Sequence, residues 1–353
     1  MSDLPSTMPA AVYREPGRIE LEERAVPDLG PDQVLVEVGH CGICGSDIHL
    51  MHEGWGQKNT VEGHEWSGVI AAIGPEVEGW QVGDQVVGGP SPKCGHCRRC
   101  LEGKPSQCYN RRGSVAESFD GAFARYVRSR AISIHRVPPG LSLREAALTE
   151  PLAVALHGIT RSGAGPEDAI MVFGAGPIGA LTLAAVKAKG LGPVTVVEPG
   201  ERRRQLARDL GADKVVEPGD LENFPAWQPE RLADEPADVV LECSGKKAAM
   251  EAGFHQLNRG GQLVFVGAGM EPPTFDPNRM LLNELHVCGS FVYDLGGFDR
   301  ALELLASGAM PTDRLLEPVD VPLEGLSEAL RGLYEGELPG KALVAPSLSV
   351  TST

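Results

Sequence analysis

The sequence predicts an α/β protein in two parts, an antiparallel barrel-like β unit followed by a doubly wound parallel sheet with helices on its faces. Two observations carry this reading. The N-terminal part holds short runs of alternating apolar and polar residues separated by Gly and Pro, which is strand and turn chemistry. From residue 169 onward, apolar strand-like runs alternate with helical spacing, and the first of them ends in a glycine triplet. Such alternation builds parallel sheets.

With 353 residues the chain can fill roughly two to three domains and bury a large core. A formal charge of −16 and a pI near 5.0 repel phosphate backbones and anionic lipid. No nucleic acid or membrane partner is therefore expected. The opening MSDLPSTMPAAVYREPG lacks a basic segment followed by an apolar run, and no later stretch reaches the ~18 apolar residues of a membrane span. A cytoplasmic location is the expectation. Of the eight cysteines, four crowd between Cys94 and Cys108, which suits a metal better than a set of disulfides in a chain without a secretory signal.

Residues 13–38 alternate in polarity, with Pro27, Gly30 and Pro31 as punctuation. Further strands are expected at 68–73, at 85–88 after the Gly83-Asp84 turn, and as a pair within 121–136. Among them stand Cys44, followed closely by Ser46 and His49, and His64 with Glu65 beside it. A thiolate and an imidazole are zinc ligand types. A catalytic zinc takes three protein ligands and leaves one position for water or substrate, lowering the pKa of the bound oxygen to roughly 7. Ser46 and His49, expected in a loop, read either as a proton path or as a helix N-cap and a surface histidine. Cys41 lacks such neighbours. Cys94, Cys97, Cys100 and Cys108 can close a tetrahedral shell with no open position, a structural zinc site, with His96 exposed inside the loop.

Residues 143–157 show helical spacing on both sides of Glu150 and Pro151. A carboxylate in such an apolar run is costly to bury without a partner, which makes Glu150 the third zinc-site residue. Next, strand 169–173 runs into Gly174, Gly176, Pro177, Ile178 and Gly179, and a helix over 180–188 follows. Between strand and helix this is a dinucleotide-binding turn: Gly174 for the bend, Gly176 for close approach of the pyrophosphate, Gly179 for helix–strand packing. Strand 194–197 ends at Glu198, about twenty positions on, where an acid meets the adenosine ribose. The pattern continues through helix 202–210, strands 214–216 and 238–242, helix 247–256, and strands 262–267 and 286–291. The ends of the last two offer Val266, Gly267, Ser290 and Phe291 as further cofactor contacts. Helices at 298–306 and 323–334 and a strand at 342–344 close the chain, with 346–353 read as a frayed end and 220–237 showing no clear element.

The run Cys44-Gly45-Ser46-Asp47-Ile48-His49 followed by Gly63-His64-Glu65 resembles the medium-chain, zinc-dependent alcohol dehydrogenase superfamily, particularly its sorbitol and threonine dehydrogenase branch. The cysteine lobe and the glycine turn extend the resemblance over nearly the whole chain. The family places its ligand at the second cysteine of Cys41-Gly42-Ile43-Cys44, which implies a free core thiol at Cys41. It implies a GroES-like β-barrel catalytic domain with the structural-zinc lobe over 1–155, a Rossmann coenzyme domain over 156–292, and a return of 293–353 to the catalytic domain. It implies also a zinc-dependent oxidoreductase that moves hydride between a secondary alcohol or polyol and NAD, with one catalytic and one structural zinc. Ser46 would pass the hydroxyl proton, through the nicotinamide ribose, to His49 and solvent. Liver-type members carry cysteine where Glu150 stands, whereas the sorbitol-like branch has Glu-Pro-Leu as here. Direct ligation by Glu150, or Glu150 holding the zinc's water while Glu65 moves in, both fit. The branch implies a homotetramer or homodimer.

Glu198 would accept the ribose hydroxyls and repel a 2′-phosphate, favouring NAD over NADP. Against this stands the run Arg202-Arg203-Arg204, which can grip a phosphate, although the family places a basic residue near Arg203 even when it uses NAD. Trp55, Phe119 and Phe291 are candidate pocket residues and equally ordinary core aromatics. Two other readings are a zinc-independent NADPH reductase of activated double bonds, against which Cys44, His64 and Glu150 argue together, and a non-catalytic nucleotide-binding relative.

Overall fold

The computed structural model describes residues 4–54, 56–90, 93–110, 120–222, 224–225 and 227–348. Strands β1 (Thr7–Glu15), β2 (Arg18–Ala25) and β3 (Gln33–Gly42) lead into helix α1 (Gly45–Glu53). Then come β4 (Thr60–Val61), β5 (Glu65–Ile73), β6 (Gln85–Gly88), helix α2 (Arg98–Leu101), β7 (Tyr126–Arg130), β8 (Ile134–Arg136), and helices α3 (Leu143–Ala146) and α4 (Thr149–Ser162). A second run follows as β9 (Ile170–Phe173), α5 (Pro177–Ala188), β10 (Val194–Val197), α6 (Glu201–Asp209), β11 (Lys214–Val216), β12 (Ala237–Glu242), α7 (Lys247–His255), β13 (Leu257–Phe265), α8 (Pro277–Leu282) and β14 (His286–Gly289). The chain ends with α9 (Gly297–Ala306), α10 (Thr312–Leu315), α11 (Leu326–Glu335) and β15 (Leu343–Val344).

The chain divides into two compact units. One gathers the chain up to Glu150 with Phe298–Gly308 and everything from Leu316 on; the other holds Pro151–Gly297 and Ala309–Leu315. In the first, an antiparallel sheet runs β15-β3-β5-β6-β8, with β7 also pairing β3, beside a small sheet β2-β1-β4. Alternation in β3 turns Val34, Val36 and Val38 into a core with Trp66, Ile70, Phe123 and Leu330. Pairing of β3 with β5 sets Gly42 opposite Glu65 and Cys41 opposite Trp66, while β15 sets Leu343 opposite Gly42. Gly42 needs its missing side chain: a Cβ there would lie 2.1 Å from Glu65 Oε2.

The second unit is one six-stranded parallel sheet of order β11-β10-β9-β12-β13-β14. Counted within the unit this is 3-2-1-4-5-6, the doubly wound order, with its switch point between β9 and β12. Ligands of such sheets bind in the crevice beyond the strand ends at that point.

Three local expectations are corrected. The two strands within 121–136 do not pair with each other, since β7 pairs β3 and β8 pairs β6. Ser46 and His49 lie on a helix, not in a loop, because Asp47 at its third position accepts a hydrogen bond from Cys44 N at 2.8 Å and closes the N-terminus. The penultimate strand of the parallel sheet begins at Leu257, five residues before the expected 262, because Gly260 at φ 69 and Gly261 hide an extension the alternation does not show. Val266, Gly267, Ser290 and Phe291 accordingly follow their strands. In the stretch 220–237, Arg279 fixes the path by donating to the carbonyls of Pro229 (3.2 Å) and Arg231 (2.6 Å). Residues 349–353 of the expected frayed end lie outside the described residues. Among the described residues, no helix is long and apolar enough to cross a membrane.

Candidate active site and metal centres

Cys44 enters the site as the N-cap of α1, just beyond β3. His64 and Glu65 enter at the start of β5, the strand hydrogen-bonded to β3, so sheet register alone brings the two segments together. One ligand atom each from Cys44, His64 and Glu65 lie within 4.8 Å of one another. Glu150 does not belong to that group. It lies in the first turn of α4, where Pro151 costs no hydrogen bond, and it is buried close enough for its charge to raise His64.

Two buried residues that sequence reasoning did not assign complete the site. Asp47 receives Cys44 N through Oδ2 and sets Oδ1, which has no hydrogen-bond partner among the described residues, 4.0 Å from His64 Nδ1. Lys341 is 1% exposed and donates from Nζ to both oxygens of Glu65, at 2.8 and 2.7 Å, and to Ile43 O at 2.9 Å. Each had a sequence signal. Asp47 stands three places after Cys44, the position from which an acid closes a helix start, and Lys341 stands at the head of the apolar run 342–345, where lysine is rarely buried unless paired.

Charge decides what the site can hold. Asp47, Glu65 and Glu150 are buried carboxylates set against the buried Lys341 ammonium, with the Cys44 thiol beside them. Burial pushes the Glu150 carboxyl up to about 7, with the His64 imidazole pulling it down and Glu65 pushing it further up. Burial also raises Asp47. For His64 burial works downward, yet Cys44, Asp47 and Glu150 outweigh it and hold the imidazole well above its ordinary value. The group thus draws in protons for want of positive charge. A divalent cation supplies that charge, and a sulfur, a nitrogen and a carboxylate oxygen make a zinc donor set with room for a fourth partner.

Ser46 and His49 are three apart on α1 and so share a face. His49 Nδ1 lies 3.0 Å from Glu53 Oε2, which orients the ring. Trp55 and Phe119 lie outside the described residues. Phe291 is 45% exposed.

The ligand atoms of Cys94, Cys97, Cys100 and Cys108 also lie within 4.8 Å of one another, and all four cysteines are free. Backbone donors are already turned to the sulfurs: Cys97 N reaches Cys94 Sγ at 3.3 Å and Cys94 N reaches Cys108 Sγ at 3.4 Å. Backbone hydrogen bonds from His96 and Cys97 draw the Cys94 thiol down to about 5. A low-pKa thiol prepared by N–H groups is suited to metal ligation. His96 is exposed, with Nδ1 2.9 Å from Cys94 O.

In the parallel sheet, Gly174 has φ 87, Gly176 caps α5, and a Cβ on Gly179 would meet Gly174 O at 1.8 Å. Pro177 opens α5 and Ile178 follows it, so the helix N-terminus points its free N–H groups outward from the turn. Glu198 is buried, its Oε2 accepting from Ala175 N at 2.7 Å and its Oε1 from Gly200 N at 2.8 Å. Arg203 brings its guanidinium carbon within 3.8 Å of where a Gly176 Cβ would be. Arg204 is buried and braces the carbonyls of Glu198 and Pro199, at 3.1 and 2.6 Å. Val266 N and Gly267 N both donate to Glu242 O at 2.8 Å, and Ser290 N donates to Phe265 O.

Comparison with known proteins agrees with this architecture. The alcohol dehydrogenase GroES-like domain model matches residues 30–139 and the zinc-binding dehydrogenase model matches residues 177–307. Sorbitol dehydrogenase of Bacillus subtilis (strain 168) is 34% identical over 89% of this chain and 90% of its own length. The crystal structure of 2R,3R-butanediol dehydrogenase from Bacillus subtilis superposes with a TM-score of 0.84 at 29% identity, covering 96% of this chain and all of that one. An NADP-bound zinc-binding dehydrogenase from Sinorhizobium meliloti 1021 superposes equally well, with a TM-score of 0.84 and 29% identity over 97% of this chain and 100% of its own. Matched along both units by these models and by a polyol dehydrogenase of nearly its whole length, the chain belongs to the medium-chain zinc alcohol dehydrogenase superfamily, in its polyol dehydrogenase branch.

Proposed function

We propose that this protein is a zinc-containing, NAD-linked dehydrogenase of secondary alcohols or polyols, working in the cytoplasm as a homodimer or homotetramer. The observation that carries the reading is the cluster of half-buried Cys44 and His64 with buried Glu65, set beside buried Asp47 and Glu150 and holding more negative charge than Lys341 offsets. Cys44, His64 and Glu65 would hold the catalytic zinc, with Glu150 facing the remaining position; Cys94, Cys97, Cys100 and Cys108 would hold the structural one. Zinc supplies Lewis acidity to the substrate hydroxyl, and NAD supplies the hydride acceptor.

The chain's own residues do the rest. Asp47 and Lys341 orient His64 and Glu65. Ser46 takes the hydroxyl proton, and His49, its ring steadied by Glu53, delivers it towards solvent. Glu150, with its carboxyl raised to about 7, can accept or return a proton near neutral pH beside the reacting oxygen.

Glu198 supports NAD, since a buried carboxylate beside the glycine turn repels a 2′-phosphate. Arg203, over Gly176, supports the cofactor's phosphates and is the residue through which NADP could compete. The test is zinc per chain by elemental analysis together with kcat/KM for NAD and NADP on a polyol panel. Two zincs and NAD-linked turnover are expected. A metal-free active enzyme, or turnover with NADP alone, would overturn the proposal.

A further inference from the structure

Glu242 is a fully buried carboxylate that no step above uses. It ends β12, the strand beside β9 at the switch point, so it lies under the crevice where the sheet binds its ligand. Its side chain reaches forward into the next turn: Oε1 accepts from Ser244 N at 2.8 Å, from Ser244 Oγ, and from Gly245 N at 3.1 Å, and Oε2 lies 3.2 Å from the same Gly245 N. Its carbonyl reaches sideways to Val266 N and Gly267 N, both at 2.8 Å. One residue therefore ties the turn after β12 to the turn after β13.

The turn so fixed touches the glycine turn itself. A Cβ on Gly174 would lie 2.9 Å from Ser244 Cβ and 3.2 Å from Ser244 N. On the far side, a Cβ on Gly267 would lie 2.4 Å from Gly245 N, and one on Gly269 1.8 Å from Gly245 O. Turns packed this closely, with main chain or Ser244 Cβ at van der Waals distance, transmit displacement because little room is left to take it up. Gly174 in turn leads into Gly176 and Pro177, where α5 begins; beyond Pro177, which has no N–H, the first-turn N–H groups of α5 are those offered to a pyrophosphate.

A buried carboxylate is an expensive way to fill a core. Burial pushes the Glu242 carboxyl up, and only its bonds to Ser244 and Gly245 pull it back. We propose that Glu242 is a positioning residue for the dinucleotide: by holding residues 243–245 between Gly174 and Gly267–Gly269, it sets the shape of the cofactor seat without touching the cofactor. The proposal rests on the dinucleotide-binding reading above.

Glu242→Gln is the discriminating variant. It keeps size and one acceptor oxygen, but its amide N–H₂ faces Gly245 N, donor against donor, and releases that end of the turn. Dissociation constants for NADH and NAD are measured on the zinc-loaded protein by calorimetry, at a temperature where wild type and variant are both folded by circular dichroism. The variant should bind both forms about tenfold more weakly (about 1.4 kcal/mol), with KM for the alcohol and kcat at saturating cofactor changed less than about twofold. Glu242→Asp, which keeps both acceptor oxygens, should recover part of the loss. If a folded Glu242→Gln binds NADH as wild type does, or loses kcat and both KM values together, the positioning role is refuted. If it does not fold, Ser244→Ala decides: loss of the hydroxyl bonded to Glu242 should weaken NADH binding by roughly threefold, and unchanged binding refutes the role. Wild type that binds no dinucleotide would overturn the cofactor reading instead.

Discussion

Lys341→Met separates what Lys341 does from what a metal does at the same carboxylate. The ammonium is buried, 276 positions from Glu65, and satisfies both Glu65 oxygens and the Ile43 carbonyl. Met fills a similar volume and leaves all three acceptors without their donor. Removing one partner of a buried ion pair costs about 3–5 kcal/mol. At roughly 2–4 °C per kcal/mol for a domain of this size, the metal-free variant should melt about 6–20 °C below metal-free wild type. With zinc bound, Glu65 has a second cation to face, so the loss should shrink by at least a third or so. Linkage then requires the variant to bind zinc more tightly, by about tenfold for each 1.4 kcal/mol of difference.

The assay is melting by circular dichroism of both proteins, zinc-loaded and chelator-treated. The expected signature is a chelator-induced drop larger in Lys341→Met than in wild type. Burial lowers the Lys341 pKa, but Glu65 and Cys44 more than restore it, so it stands above its ordinary 10.5. A raised lysine contributes its stability in full below its unfolded value and loses it only as pH climbs through the folded one. Lys341 itself therefore stays charged from about pH 6 to pH 9, but its removal lets the Glu150 carboxyl, which stands at about 7 and which Lys341 helps hold down, rise further, so the gap between the two metal-free proteins should widen as pH climbs through neutrality. Equal chelator-induced drops, or a metal-free variant melting within about 2 °C of wild type, would refute the reasoning.

Further outcomes follow from the same geometry. Cys44→Ser or His64→Ala should abolish turnover yet leave NADH binding by the parallel-sheet unit near wild type, which fluorescence titration checks; an active variant would remove the metal from that cluster. Cys97→Ser should cut zinc from two atoms to one and lower the melting temperature before it changes kcat, and a variant with two zincs and an unaltered melt would speak against a structural site. Glu198→Ala should raise the NADP-to-NAD ratio of kcat/KM by at least about tenfold, and because it also strips acceptors from Ala175 N and Gly200 N it should raise KM for both cofactors. Raised KM values with an unchanged ratio would leave Glu198 as a brace of the turn and nothing more.

Local chemistry made most of the architecture readable, and long-range pairing hid the rest. The glycine turn, the four spaced cysteines and the strand–helix alternation are properties of consecutive residues, so sequence alone carries them. Glu150 was readable as a charge stranded in an apolar helix; that Glu65 stands with Cys44 and His64 depends on the register of β3 against β5, which spacing does not specify. Lys341 and Glu242 share one difficulty. Each is a charged residue in or at the end of an apolar run, and the residue alone does not say whether its partner is a carboxylate 276 positions away, as for Lys341, or its own next turn, as for Glu242. Yet the physics constrains both in the same way: a charge is buried only where something compensates it. A buried charged residue at the edge of an apolar strand therefore marks a place where the fold brings two segments into fixed register, and here those places lie beside the Cys44, His64 and Glu65 cluster and under the glycine turn.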